Sequence, residues 1–460
     1  MSTLRRELIG GGAMPNVLYS VKDARTLPSG TVTAPTRVAL PIMLRRSGEF
    51  GVSETLQSLL DAYRPGHALP GRLYSDSQIY EEEIRAIFLK SWLCVGHESL
   101  IPRTGDYFVF NLTSESVVVI RDTKGRVNAL LNVCRHRGSR ICDQPTGHVS
   151  RLVCRYHGWT YALDGSLRAA SRMPEDFDGS SLGLRHLHVR LFIGLIFINF
   201  DPAPAAFDPI ENDLAAPLAP YRLERAKVAQ RRTYTIESNW KLAVENYCEC
   251  YHCQPAHPEY SVGHGRAVSA AEQAALLEPV LARAEAAGLT QQFYIRNSWL
   301  AAGELGTDRG YKRYALMRGH RTGSRDGSPL APLLGSIREY DGGATDLHFG
   351  PMMFGLAYCD HVVLYRFTPR ALRSTDCEIL WLVNGSAVEG KDYDLAELTW
   401  LWDVTTVADK QIIERNKAGV DSRFYVPGPL STMEEFTGLF LQWYVATMRA
   451  AFGAEPAATR

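Results

Sequence analysis

Between Gly105 and Asn199 apolar and polar residues alternate over short runs, among them Tyr107-Phe108-Val109-Phe110, Val117-Val118-Val119-Ile120 and Leu191-Phe192-Ile193-Gly194-Leu195-Ile196-Phe197-Ile198. Gly and Asp punctuate these runs, as at Asp122-Thr123-Lys124-Gly125 and Asp164-Gly165, so a small all-β domain is predicted over 101–200. The texture on either side differs. From Tyr74 onward Ile79, Ile84, Ile87 and Phe88 recur among acidic residues at helical spacing, and Trp92-Leu93-Cys94-Val95-Gly96 then reads as a strand. Residues 51–100 are thus expected to form a helical part packed on the C-terminal domain. The Pro/Ala-rich stretch 201–220 reads as a linker. Within 201–460 helix is expected over about 240–253, 268–288 and 394–417, with Gly419 as the cap beyond the last end. Strand-like runs stand at 362–367 and 379–383, so the chain is α+β, and no internal repeat or heptad run is present.

Composition narrows the function classes. The chain has 460 residues, 45% hydrophobic and 22% charged, which suits large globular cores. Fifty basic and fifty acidic residues cancel, so neither nucleic acid nor an anionic membrane is implied as a partner. No run of about eighteen apolar residues occurs, and no membrane span is expected. Nine cysteines, an odd number, with no visible signal peptide favour a reducing, cytoplasmic compartment over a disulfide framework. Residues 1–50 read as a flexible arm. Arg5 and Arg6 lack the apolar stretch of an export signal, Met14 is an alternative start, and the Ser/Thr/Arg content leaves an organelle transit peptide as the alternative reading.

The most specific motif is Cys134-Arg135-His136, then seventeen residues, then Cys154-Arg155-Tyr156-His157. Two thiolates and two imidazoles in matched pairs, on two loops of a β domain, are the ligand set of a Rieske [2Fe-2S] centre, in which Cys holds one iron and His the other. A structural zinc site is the alternative, but zinc favours Cys-x2-Cys or His-x3-His spacings. Cys142 and His148 lie between the pairs and read as packing and loop residues.

A second constellation runs from Asn239 to Pro258. On a continuous helix Glu245, Glu249 and His252 would share one face, and Pro255 would break the helix so that His257 folds back toward His252. Two imidazoles from one segment, with a carboxylate from elsewhere, make the two-histidine, one-carboxylate triad of non-haem iron(II) oxygenases. Cys248, Cys250 and Cys253 read as buried residues packing that helix.

The flanks, Cys134-Arg135-His136-Arg137-Gly138 and Cys154-Arg155-Tyr156-His157-Gly158-Trp159, resemble the loops of Rieske non-haem iron oxygenases, and the similarity covers roughly 70–445. Within that family the chain is similar to the glycine betaine and choline monooxygenase branch. The stretches that carry this are 239–258, Ala387-Val388-Glu389-Gly390-Lys391-Asp392-Tyr393-Asp394, and Tyr425-Val426-Pro427-Gly428-Pro429-Leu430-Ser431.

The resemblance implies an oxygenase (alpha) subunit with a catalytic domain whose antiparallel sheet wraps a long helix, a helix-grip arrangement. It implies Asp409 as the third ligand of the mononuclear iron, with Asp403 as the rival. It further implies homotrimers in which Glu249 bridges an iron histidine and a neighbour's cluster histidine. A separate NAD(P)H-dependent reductase would supply electrons, O2 the oxygen, and a methylated quaternary amine the C–H bond.

Hydroxylation of an N-methyl group would give demethylation and formaldehyde. Phe349, Phe354, Tyr358 and Trp381 are candidates to hold such a cation through cation–π attraction, although in a chain with 46 aromatic residues most of these read as core. An aromatic-ring dioxygenase is the rival of the same chemistry. A pure electron carrier would leave His252 and His257 unexplained.

Overall fold

The computed structural model describes residues 55–265, 268–289, 300–301, 304–305 and 309–452. The expectations for the arm 1–50, its start and any targeting signal lie outside the described residues.

A six-stranded antiparallel sheet organises the larger part of the chain, in the order Ala226–Ile236, Ser374–Asn384, His361–Ala371, Met353–Ala357, Gly343–Phe349, Arg309–Ala315. The inner strands His361–Ala371 and Ser374–Asn384 are buried on both faces, and their period of two sends alternate residues into two separate cores. Val363, Tyr365, Phe367, Ile379, Trp381 and Val383 face a helical layer with Trp240, Leu398 and Trp402. Val362, Leu364, Leu380 and Leu382 face the other way, toward Trp92, Phe197 and Phe207.

The helical layer is led by the helix Leu395–Val420. Asp394 caps it by accepting from the Glu397 N–H, and Gly419, expected beyond the end, lies inside the last turn. The helix Ala270–Ala287 follows its expectation closely, with a Ser269/Glu272 capping box and Gly288 in the left-handed region.

Three corrections to the sequence reading concern element boundaries. The expected linker contains a helix, Asp208–Leu218, whose Ile210, Leu214 and Leu218 are buried at i, i+4 and i+8. Its Pro/Ala content masks that stripe. The helix begun at Trp240 stops at Tyr247, and a turn and the short helix Cys253–Ala256 replace the rest. The run at 191–198 is a hairpin, because Ile193 and Gly194 both adopt positive φ between the strands His188–Phe192 and Leu195–Asn199.

The β part holds a four-stranded sheet in the order Val127–Leu131, Glu115–Arg121, Asp106–Leu112, Thr146–His148, beside the three-stranded Leu152–Val153, Thr160–Tyr161, Leu167–Ala169. A third sheet takes Leu93–His97 against the hairpin 188–199. One buried ion pair ties the helices to one another. Lys241 Nζ lies 2.5 Å from Glu83 Oε1 with both side chains fully enclosed, and Glu83 also accepts from Tyr444 OH at 2.6 Å and Trp240 Nε1 at 2.8 Å. This network clamps the helix Trp240–Tyr247 between Ser77–Glu83 and the C-terminal helix Glu435–Phe452. It fixes the base from which the segment carrying His252 and His257 departs.

Candidate metal centres

The two cluster loops are built alike. Cys134 N–H donates to Ser139 O at 2.8 Å and Gly138 N–H returns to Cys134 O at 2.9 Å; Cys154 N–H donates to Trp159 O at 2.8 Å and Gly158 N–H returns to Cys154 O at 2.9 Å. Gly138 and Gly158 hold φ of +80° and +74°, a conformation open to glycine at little cost. The result is an approximate two-fold pair that presents one thiol and one imidazole from each side. The thiols of Cys134 and Cys154 are buried, whereas His136 and His157 are exposed with ring centroids 4.6 Å apart. Tyr161 OH lies 3.3 Å from Cys134 Sγ and accepts from Arg135 N–H at 3.0 Å. A sulfur pair inside and an imidazole pair at the surface fit a [2Fe-2S] cluster whose histidine iron faces outward. Cys142 and His148 stay outside this set: the Cys142 carbonyl accepts from Asn132, and His148 Nδ1 lies 2.8 Å from Asp106.

The second centre is assembled from elements distant in sequence. Asp409 Oδ1 lies 3.1 Å from His252 Nε2 and 3.1 Å from His257 Nε2, and the two rings stand 5.1 Å apart at 80°. One oxygen equidistant from two imidazole nitrogens marks a point where a single metal could replace the shared hydrogen bonds by three ligand bonds, the donor set of the facial triad. Burial raises the Asp409 carboxyl, but the two imidazoles outweigh it and hold the group below its ordinary value. Burial likewise lowers His252, while its bonds to Asp409 and Glu249 push it up to about 9. Glu249 accepts from His252 Nδ1, leaving Nε2 to face Asp409. The buried Nδ1 of His257 has no partner among the described residues.

Asp403, the rival acid, is engaged elsewhere, accepting from Arg232 and Tyr234. The early end of the Trp240 helix also separates groups expected on one face. Glu245 accepts from Tyr74 OH at 3.2 Å, away from Glu249 and His252. Cys250 and Cys253 are not separate packing residues: they form a disulfide across the turn, with Cα atoms 4.9 Å apart.

A cavity of about 740 Å³ opens beside the triad. Its wall near the histidines is aromatic: Tyr260 lies edge-on to His257 at 5.7 Å and to Trp402 at 5.9 Å, and Tyr365 stands 6.2 Å from Trp402. Trp402, Thr405 and Asp409 line it from successive turns of one helix, at i, i+3 and i+7. Phe349, Phe354, Tyr358 and Trp381 do not line it. Each is buried in packing, Phe354 behind Tyr247 at 4.7 Å and Phe349 against Phe197 at 5.6 Å. The Trp402 spacing to Asp409 was the available sequence signal for the true lining.

An iron–sulfur β domain joined to a sheet-and-helix domain with an N2O metal triad defines a two-centre iron oxygenase. Residues 91–187 match the Rieske [2Fe-2S] domain, and residues 223–450 match the ring hydroxylating alpha subunit (catalytic domain). The chain belongs to the Rieske non-haem iron oxygenases as an oxygenase (alpha) subunit.

It is 36% identical over 400 residues to the glycine betaine monooxygenase oxygenase subunit of Chromohalobacter salexigens, covering 85% of this chain and 87% of that one. It shares its fold with the quaternary ammonium Rieske monooxygenase CntA in complex with L-carnitine (TM-score 0.62, 23% identity, 86% of this chain and 99% of that chain). A second CntA structure, described with inter-subunit electron transfer, superposes with a TM-score of 0.64 at 21% identity over 86% of this chain and 100% of that one. The family uses a [2Fe-2S] cluster, a mononuclear iron and reductase-supplied electrons from NAD(P)H. Among the described residues no helix is long and apolar enough to cross a membrane.

Proposed function

We propose that the chain hydroxylates an N-methyl group of a glycine betaine-like quaternary ammonium compound, releasing the demethylated amine and formaldehyde. The observation that carries this reading is the aromatic corner of Tyr260, Trp402 and Tyr365 set directly against His257 and Asp409. A quaternary ammonium has no N–H to donate, so ring faces and nearby carboxylates are what can hold it. Placing the cation there sets its methyl groups next to the metal position. Similarity to a glycine betaine monooxygenase over most of both chains supports the same substrate class.

Cys134, His136, Cys154 and His157 hold the cluster in this reading, and His252, His257 and Asp409 hold the iron. When bound, these groups supply single electrons and the activation of O2. The overall change balances as one O2, two electrons and two protons, with one oxygen entering the methyl C–H bond and the other leaving as water. The hydroxymethyl ammonium then breaks its C–N bond; nitrogen keeps the electron pair, the hydroxyl proton leaves, and formaldehyde departs.

Glu249 fixes His252 and presents the carboxylate that would accept from a neighbouring subunit's cluster histidine, as the exposure of His136 and His157 allows. A homotrimer in the cytoplasm, served by a separate reductase, is the assembly this requires.

The test is to reduce the anaerobic protein, add nitric oxide and record the paramagnetic resonance of the iron–nitrosyl with each candidate substrate. Glycine betaine or a related methylated amine should shift or sharpen the signal. A response to aromatic compounds alone would replace this reading by that of a ring dioxygenase.

A further inference from the structure

Sulfur closes the segment that delivers both histidines of the second metal centre. Cys250 and Cys253 are bonded to one another, and His252 sits inside the ring they form. The turn has other support as well. Glu249 accepts from the N–H groups of Tyr251 and His252 in addition to His252 Nδ1. Cys253 N–H donates to Cys250 O at 3.3 Å, and His257 N–H donates to Cys253 O at 3.0 Å. The shape of the turn therefore does not require the S–S bond.

Both cysteines line the cavity beside the triad. Cys253 is buried, whereas Cys250 is half-buried next to the exposed Tyr251, which makes it the sulfur open to attack. The sulfur of Cys253 and one ring nitrogen each of His252 and His257 lie within 4.8 Å of one another. The two imidazoles thus have two partners that can complete them. Asp409, 3.1 Å from both, gives the two-nitrogen, one-oxygen set suited to iron(II). Cys253 gives two nitrogens and a sulfur, and a soft thiolate beside imidazole favours zinc. While bonded to Cys250 that sulfur carries no charge and is a poor ligand.

We propose that Cys253 is an alternative ligand of the mononuclear centre, and that its bond to Cys250 decides whether it is available. With the pair closed the site takes iron; with the pair open it retains zinc at the expense of iron. Closing breaks two S–H bonds and forms one S–S bond. A small-molecule disulfide of the glutathione class takes the two electrons and two protons and leaves as two thiols. Opening is the reverse, with a thiol reductant. The proposal rests on His252, His257 and Asp409 holding the iron, as above, and is independent of the substrate.

The experiment compares cluster-loaded wild type, Cys250→Ala and Cys253→Ala. Each is treated with glutathione disulfide or with a phosphine reductant, desalted, and equilibrated anaerobically with one mixture of iron(II) and zinc(II). Differential alkylation and mass spectrometry report the state of the pair, cluster absorbance reports an intact fold, and metal analysis reports zinc and non-cluster iron. In wild type the zinc-to-iron ratio should rise at least about tenfold on reduction. Both variants lose the S–S bond, yet they should diverge: Cys250→Ala should stay at the high ratio in both treatments and Cys253→Ala at the low one. X-ray absorption of the zinc held by Cys250→Ala should show a sulfur neighbour at about 2.3 Å, absent in Cys253→Ala. Equal ratios in the two variants overturn the proposal, as does a pair that keeps one state in both treatments or a wild-type ratio that ignores that state; each leaves the iron centre standing. Wild type that takes neither metal outside the cluster overturns the iron centre, and the proposal with it.

Discussion

Glu249 accepts the Nδ1 hydrogen of His252, and this bond decides which imidazole nitrogen faces Asp409. A carboxylate there fixes both the tautomer and the ring orientation of a metal-binding histidine. Replacing it by Gln keeps the length and one acceptor but removes the charge. In Glu249→Gln, electron transfer from the pre-reduced cluster to the mononuclear iron should slow on the order of 10–100-fold. Single-turnover mixing with substrate and O2 measures this, and the cluster's own resonance should stay at its wild-type position. An unchanged cluster reoxidation rate would remove Glu249 from the electron path.

Asp409 and Asp403 lie six residues apart on one helix, yet the structure gives them separate partners. Asp409→Ala should therefore lose the mononuclear iron while retaining the cluster iron and its visible spectrum. Asp403→Ala should keep both and lose only the contacts to Arg232 and Tyr234. Iron analysis after desalting, set beside cluster absorbance, separates the two. The assignment fails if the Asp403 variant is the one that loses iron.

The pair Glu83–Lys241 has no solvent on either side, so neither charge can be relieved by water when the other is removed. Lys241→Met should lower stability by about 3–5 kcal/mol, because Glu83 is then buried without its cation. Burial already lowers the Lys241 pKa against the attraction of Glu83, in keeping with a pair under desolvation cost. The double variant Glu83→Leu, Lys241→Met should recover much of the loss. Chemical denaturation of the cluster-loaded protein checks both, and a double variant no more stable than the single one would contradict the argument.

How far the sequence anticipated this structure follows from the range of each determinant. The pairing of the two loops was legible because Cys134/His136 and Cys154/His157 act over two or three residues, and their loops repeat the same turn with Gly138 and Gly158. The approach of His257 to His252 was legible for the same reason. Asp409 was not fixed by spacing, since Asp403 sits on the same helix and the choice depends on which strand residues meet it. Arg232 and Tyr234 claim Asp403, a contact spanning some 170 positions that no local pattern encodes.

The stop of the Trp240 helix at Tyr247 was missed because its apolar spacing carries on past the point where the turn to His252 begins. That error propagated to Glu245 and to the Cys250–Cys253 pair. That most of Phe349, Phe354, Tyr358 and Trp381 belong to the core was legible, but which rings line the cavity was not: Phe349 lies in the other core, whereas Phe354, Tyr358 and Trp381 share the core of Tyr365 without reaching the lining.

Glu245 gives a prediction in pH. Its Oε1 is shut off from solvent and has no partner among the described residues; burial raises the carboxyl, Tyr74 and Lys241 pull it down in part, Glu434 adds to the rise, and the group is pushed up to about 8. Tyr63 and Tyr425 also face it. The folded chain therefore keeps the proton over a range in which the unfolded chain, near 4.5, has released it. Wherever the folded state binds more protons, stability falls as pH rises, by up to about 1.4 kcal/mol per unit for one group. The contribution of Glu245 is thus present in full below about pH 4.5 and is lost as pH rises through about 8.

Glu245→Gln imitates the protonated side chain at every pH. Between pH 5 and 8 its apparent melting temperature should gain steadily on wild type, with the largest difference at the alkaline end. Thermal scans of both cluster-loaded proteins across that range decide the point. Parallel curves would show that Glu245 does not hold its proton in the folded protein.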